Sequence, residues 1–428
     1  LERPAVFALV AITAIHLAIF AYVAVAGLVR QPYSDMFDFL KAEFAFEKTG
    51  DLAAYLAAEH NHQHLVWVRV LTAIDVQAFH GTGVIFALAA GLSMLMGAIV
   101  IGRELWRSAS RRIVGAAAAA ITVLLLMSTV NAINVTQPIN SVYAIASGFA
   151  ALAIVLFERA ESAPGRTILY AVLALLAGLS AAAGSAAGVA VFPVLMVSAV
   201  RNPVNRSLLA PALIVGLAAM GVVGGALMSG GNSTAGGPHL AKMADYFLSY
   251  AGMPWSAIRG VSRVRVAIGL VATSLSAVLL WRGSRRDGGA GRLERIGLDL
   301  ILFALGTAIM AALGRVDESD QVIVPVRYAI FMSALQVGVI CVLTPALTAH
   351  WERAQRWAVP AALIAALVLL AQQAAASVFA LRTSDEIRAA IAAFDAGVRR
   401  PEMRQLIHPD FVVAEQVNAA CRRRGLYQ

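Results

Sequence analysis

Long apolar stretches recur from one end of the chain to the other, separated by short polar or basic turns. A helix of about 20 apolar residues crosses the ~30 Å hydrocarbon core of a bilayer, because it satisfies its own backbone hydrogen bonds where water cannot. Eleven stretches qualify: 5–29, 83–101, 113–130, 139–157, 168–183, 186–200, 208–228, 264–281, 296–313, 328–347 and 358–376. Two of them, 168–183 and 186–200, are short, with Gly184, Ser185 and Gly188 around the junction. They read as two short helices meeting in a tight turn or as one broken unit. The first stretch is too long for the apolar region of a signal peptide and reads as a retained membrane helix. The expectation is an all-α integral membrane protein of about eleven transmembrane helices (10–12).

Composition closes off the alternatives. Hydrophobic residues are 60% of the 428 and charged residues 14%, too little polar surface for a soluble or disordered chain. The 34 Lys and Arg against 25 Asp and Glu give +9, which in a soluble chain would suggest nucleic acid. Here it reports orientation. With the N-terminus inside, the loops 102–112, 158–167, 201–207, 282–295 and 348–357 are the inner ones, and they carry the arginines. The outer turns hold acids such as Asp317, Glu318 and Asp320. No nucleic-acid partner is expected; membrane lipids are. The two cysteines, Cys341 and Cys421, are not expected to pair, and no zinc spacing is present.

The organisation follows. Residues 1–376 form the polytopic domain, with two long outer segments at 30–82 and 229–263; residues 377–428 form a small C-terminal helical tail on the outer side. In the first outer segment, Phe37, Leu40 and Phe44, then Leu52, Tyr55 and Leu56, recur at near-helical spacing and predict two helices lying on the membrane surface. Ser34 and Asp35 mark a helix start just after the first span. A carboxylate at the mouth of an apolar bundle is costly to bury and is a functional candidate. Asp35, with Asp38 as a second acid, can act as a general base toward a hydroxyl, hold a divalent ion over phosphates, or cap a helix.

Three of the eight histidines lie in His60-Asn61-His62-Gln63-His64, followed by Arg69 and Asp75. On a helix His60 and His64 share a face. That face suits sugar hydroxyls, a phosphate or a divalent ion. Arg69 and Asp75 read either as part of that polar face or as a structural ion pair. Late in the chain Arg315 closes the ninth span and Arg327-Tyr328 opens the tenth. Two arginines at the outer boundary run against the usual charge distribution, and a guanidinium fork suits phosphate oxygens. Asn131, Asn134, Gln137 and Asn140 form a polar lip between spans three and four.

An Asp directly after the first span, at the head of a loop of paired surface helices, resembles the GT-C superfamily of integral-membrane glycosyltransferases. The histidine-rich run with Arg69 and Asp75, and the Gly314-Arg315 and Arg327-Tyr328 pairs, resemble a bacterial subgroup of that superfamily. Where that subgroup has Asn-Glu-His-Arg this chain has Asn61-His62-Gln63-His64, and Phe79-His80-Gly81 stands for its Phe-Gly turn. The resemblance implies a polyprenyl-phosphate sugar as donor and a cell-envelope glycan, lipid or protein as acceptor. Asp35 would be the base and Asp38 a second acid. Arg327, Arg315 and Tyr328 would hold the donor phosphate. His60, Asn61, His64, Arg69 and Asp75 would line the sugar or acceptor side. A divalent cation (Mg or Mn) is compatible with it. The implied setting is a bacterial inner membrane with the site facing the periplasm. The main rival is a multi-pass transporter or flippase of a lipid-linked or polar substrate.

Overall fold

The computed structural model describes residues 2–60, 63–161, 165–201, 214, 216–217, 240–253, 262–285, 290–315 and 324–427. Among them every long element is a helix, and nine helical segments are long and apolar enough to cross a membrane. These nine coincide with nine of the eleven apolar stretches. The stretch 186–200 forms a shorter apolar helix, and 208–228 lies almost wholly outside the described residues.

The spanning helices are α1 (Glu2–Ala26), α5 (Val84–Ser108), α6 (Arg112–Leu126), α8 (Ser141–Glu161), α9 (Thr167–Gly184), α12 (Ser262–Ser284), α13 (Arg292–Arg315), α14 (Ala329–Ala349) and α15 (Trp351–Asp395). The short apolar α10 is Val191–Arg201. It meets α9 through the tight 3-10 turn Ala186–Ala190, in which the Ser185 hydroxyl accepts from the Ala187 N–H. Helix α8 packs between α5 and α9, α13 packs along α14, and α1 packs on α6 and α15. Small residues permit the closest crossings: a Cβ on Gly148 of α8 would drive into the Ser93 carbonyl of α5.

Buried acids lock one end of the bundle. Glu104 at the end of α5 pairs with Arg159 and, at 2.6 Å, with Arg292. Glu158 at the end of α8 pairs with Arg295 at 2.6 Å and accepts from the Ser198 hydroxyl. Arg201 reaches Asp299 at 3.5 Å. Each acid is fully buried while its arginines reach the surface, so losing either partner would strand a charge, at about 3–5 kcal/mol.

The other end of the bundle carries a second hydrophobic core, built by two segments far apart in sequence. After α1, the chain forms α2 (Met36–Thr49), α3 (Leu52–Ala57) and α4 (Val66–Ala78). Two helices form where the spacing predicts them, and α4 follows; the apolar face of α2 is covered by protein. The amphipathic face of α2, carrying Phe37, Leu40 and Phe44, packs on Ile391 and Phe394 of α15 and on Val417 and Cys421 of α16 (Phe411–Arg423). The last long apolar helix runs on unbroken to Asp395, and the C-terminal tail closes over α2. Burial holds this layer: each buried Phe or Leu contributes about 1.5–3 kcal/mol, against about 0–1 kcal/mol for exposed ion pairs such as Arg422–Asp395. Cys341 and Cys421 are both buried and unbonded.

Candidate active site at one end of the bundle

Asp35 sits where the chain turns from α1 into α2. Ser34 before it adopts left-handed φ of 50°, and its N–H donates to the Ile407 carbonyl of the C-terminal segment. Asp35 occupies the position before the first residue of α2, yet its carboxylate makes no capping hydrogen bond there. It turns instead to His60, whose Nε2 lies 3.2 Å from Oδ2. That hydrogen bond holds the Asp35 carboxyl below the ordinary carboxylate range, against the effect of burial, and the charges of Arg327 and His408 add to it. The group is therefore ionised at neutral pH. An ionised carboxylate can take a proton from a hydroxyl, orient it, or ligate a cation.

Asp38, on the first turn of α2, faces the same space. Oxygens of Asp35 and Asp38 and a ring nitrogen of His60 all lie within 4.8 Å of one another, and the three residues are half-buried. Two carboxylate oxygens and an imidazole nitrogen fit a divalent ion, with the imidazole favouring Mn over Mg. His408, almost fully buried, brings Nε2 to 3.4 Å from Asp38 Oδ1. Its Nδ1 is held by the backbone of Asp410, 2.7 Å from the carbonyl oxygen, and its ring meets the edge of Phe37.

Arg327 lies near enough for its charge to act on the Asp35 carboxyl. It lies in the 3-10 turn Val326–Tyr328 that leads into α14, and its carbonyl accepts from Asn134 Nδ2 at 3.1 Å. Its guanidinium lies 5.7 Å from the Tyr143 ring centre and 5.5 Å from that of Tyr328. Tyr328 in turn stacks on Tyr250 of α11 (Leu240–Ala251). The aromatic faces stabilise the cation, the Tyr328 side chain hydrogen-bonds the guanidinium, and the buried Nε has no hydrogen-bond partner.

The other candidates separate from this group. His64 does not share a helix face with His60. The chain turns back between them, with His60 and Gln63 exchanging backbone hydrogen bonds of 2.9 Å each, and His64 Nδ1 sits 2.8 Å from the Ala57 carbonyl. Arg69 is buried, wedged between Phe39 and Tyr55 at 5.4 and 5.3 Å and donating to the Ala58 carbonyl. It braces α3 against α4. Asp75 is buried too, and both its oxygens accept from the Gly83 N–H, at 3.0 and 3.1 Å. It shapes the turn from α4 into α5. Neither side chain joins the Asp35–His60 group: Arg69 is held by two rings and the Ala58 carbonyl, and Asp75 by the Gly83 N–H. Asn61 lies outside the described residues. Arg315 ends α13, and its side chain is outside them too.

Tyr143, Tyr250 and His408 were not singled out by the sequence. The two tyrosines sit within apolar helices and look like core. His408 precedes Asp410, which caps α16 by accepting from Val412 N at 2.8 Å. The helix start is readable; the reach to Asp38 is not. Comparison with protein-family models, with curated proteins and with solved structures returns no match.

Proposed function

We propose that this chain is a membrane glycosyltransferase that moves a sugar from a polyprenyl-phosphate donor to an acceptor hydroxyl outside the cytoplasm. The observation that carries this is an ionised Asp35, braced by His60, within the electrostatic reach of the aromatic-backed Arg327, whose Nε has no hydrogen-bond partner. Base and phosphate clamp are what displacement at an anomeric carbon requires. Arg327 and Tyr328 bind the donor phosphate. The acceptor hydroxyl loses its proton to Asp35 as its oxygen bonds to the anomeric carbon. The bond from that carbon to the phosphate oxygen breaks, polyprenyl phosphate departs on Arg327, and the carbon inverts. Asp38 and His408 keep the acid side of the mouth in place. A divalent cation bound by Asp35, Asp38 and His60 would add positive charge beside the phosphate. In this reading the protein resides in a bacterial inner membrane with the mouth toward the periplasm, and the acceptor is a cell-envelope glycan, lipid or protein.

Transport is the second reading, favoured by a polar knot buried among the spans. Thr129 donates from N–H and hydroxyl to Gln373, at 2.6 Å to Oε1 and 2.8 Å to the carbonyl, and Gln373 Nε2 donates to the His16 carbonyl at 3.2 Å. These groups bond one another and tie α1 to α15, which suits a lock better than a substrate site. The buried ionised groups lie at the two ends of the bundle, whereas transporters bind at the midplane.

Reconstituted protein offered a panel of polyprenyl-phosphate hexoses and pentoses distinguishes the two. The proposal expects release of polyprenyl phosphate by wild type and its loss in Asp35→Asn, with donor binding retained. Movement of intact donor across the bilayer, unaffected by Asp35→Asn, would replace it with transport.

A further inference from the structure

The opposite end of the bundle holds an apolar groove of about 150 Å³ between α1, α6, α14 and α15, lined among others by Leu9, Ile113, Ile121, Leu343, Trp351 and Ala362. Its one hydroxyl, that of Thr344, already donates to the Ile340 carbonyl at 2.7 Å. A dry cavity of this size accommodates an apolar guest of about six carbons, the length of a segment of acyl chain. The lining comes from the start of α1, the start of α6, the end of α14 and the start of α15, which the distribution of arginines places on the inner side.

Charge at the mouth says what the guest carries. Arg111 and Arg112 directly precede Ile113, and Arg353 and Arg356 lie between Trp351 and Ala358, so four arginines flank the groove in sequence on two of its walls. All four are exposed, and none is paired with an acid among the described residues. This differs from Arg159, Arg292 and Arg295, which are committed to Glu104 and Glu158. Trp106 and Trp357 stand exposed at 51% and 79% at the end of α5 and the start of α15, as aromatic residues do at a head-group boundary. Basic pockets between helices on the cytoplasmic side hold anionic head groups.

We propose that this groove binds an anionic glycerophospholipid of the inner leaflet, with one acyl chain against Leu9, Ile113 and Trp351 and the phosphate on Arg112, Arg353 and Arg356. The site lies at the other end of the bundle from Asp35 and does not depend on the proposed transfer reaction.

The test uses full-length protein, stripped in a neutral detergent and given phosphatidylglycerol, phosphatidylcholine or polyprenyl phosphate, with retained lipid counted by native mass spectrometry. The variants are Arg112→Ala/Arg353→Ala/Arg356→Ala, all at exposed positions, and Ala117→Phe, which fills the groove. Retention of phosphatidylglycerol at least fivefold above phosphatidylcholine in wild type, lost in both variants, is the expected result. Equal retention of the two lipids, or retention unchanged in the triple variant, overturns the proposal. Displacement of phosphatidylglycerol from the groove by equimolar polyprenyl phosphate overturns it too, since the groove would then belong to a prenyl lipid.

Discussion

His408 brings its Nε2 to 3.4 Å from the Asp38 carboxylate, joining the C-terminal segment to the first turn of α2. The link is reinforced one residue away, where the Ser34 N–H donates to the Ile407 carbonyl. The C-terminal segment is thus part of the mouth, and its removal should be felt in the chemistry.

That link gives a graded prediction for the acid limb of the pH–rate profile. The hydrogen bond from His60 is the largest influence holding the Asp35 carboxyl low, and the charge of His408 is a smaller one. His60→Ala should therefore move the acid limb to higher pH, and His408→Ala should move it the same way by less. Loss of either partner raises the value at which Asp35 protonates, so activity fails at a pH where wild type still turns over. An unmoved limb in His60→Ala would mean that Asp35 does not set it.

Asp35→Asn should lower turnover by about 10²–10⁴, the usual contribution of a positioned base, while leaving the melting temperature within a degree or two. The carboxylate does not cap α2, so no helix end depends on it. Asp410→Ala is the contrasting variant. Its carboxylate caps α16 through Val412 and Val413, and its loss should cost about 1 kcal/mol.

Asp75 should make stability depend on pH near neutrality. Burial raises its carboxyl from 3.8 to about 7, the hydrogen bond from Gly83 only partly offsetting it. The unfolded chain loses this proton first. Stability is therefore fully present below pH ~4 and declines as pH rises through about 7, by a few kcal/mol in all. Melting in detergent across pH 5 to 8 should show the decline in wild type and a flatter profile in Asp75→Asn. Parallel profiles would show that the carboxylate is not the cause.

Arg69→Ala should destabilise the protein without touching donor affinity. The side chain packs between two aromatic rings and its own backbone carbonyl accepts from the Tyr55 hydroxyl at 2.9 Å. The lost ring contacts and the Ala58 bond predict a cost of about 1–3 kcal/mol. KM for the donor should change by less than about twofold; a tenfold rise would return Arg69 to the substrate side.

The bundle was legible because bilayer thickness imposes one length on every crossing helix, and nine stretches keep that length among the described residues. Asp35, Asp38, His60, Arg327 and Tyr328 stood out in the sequence as polar residues beside apolar helices, where burial without purpose is costly, and the fold brings Asp35, Asp38 and His60 together. Three things were not legible. The four-residue spacing of His60 and His64 suggested a helix, but the backbone bonds between His60 and Gln63 reverse the chain and send His64 away. Arg69 and Asp75 read as a polar face or an ion pair because sequence carries no record of what packs over them; rings cover one and the α4–α5 turn encloses the other. His408 could not be assigned, since its role comes from tertiary packing of α16 on α2.

Polyprenyl phosphate binding to the protein in nanodiscs tests the central claim most directly, measured for wild type, Asp35→Asn, Arg327→Lys and Arg327→Gln. The account predicts saturable binding in wild type, unchanged within about twofold in Asp35→Asn, and weakened at least tenfold in Arg327→Gln. Arg327→Lys, which keeps the charge and loses the fork, should fall between. Binding that is equally tight in Arg327→Gln, or undetectable in wild type, would contradict it.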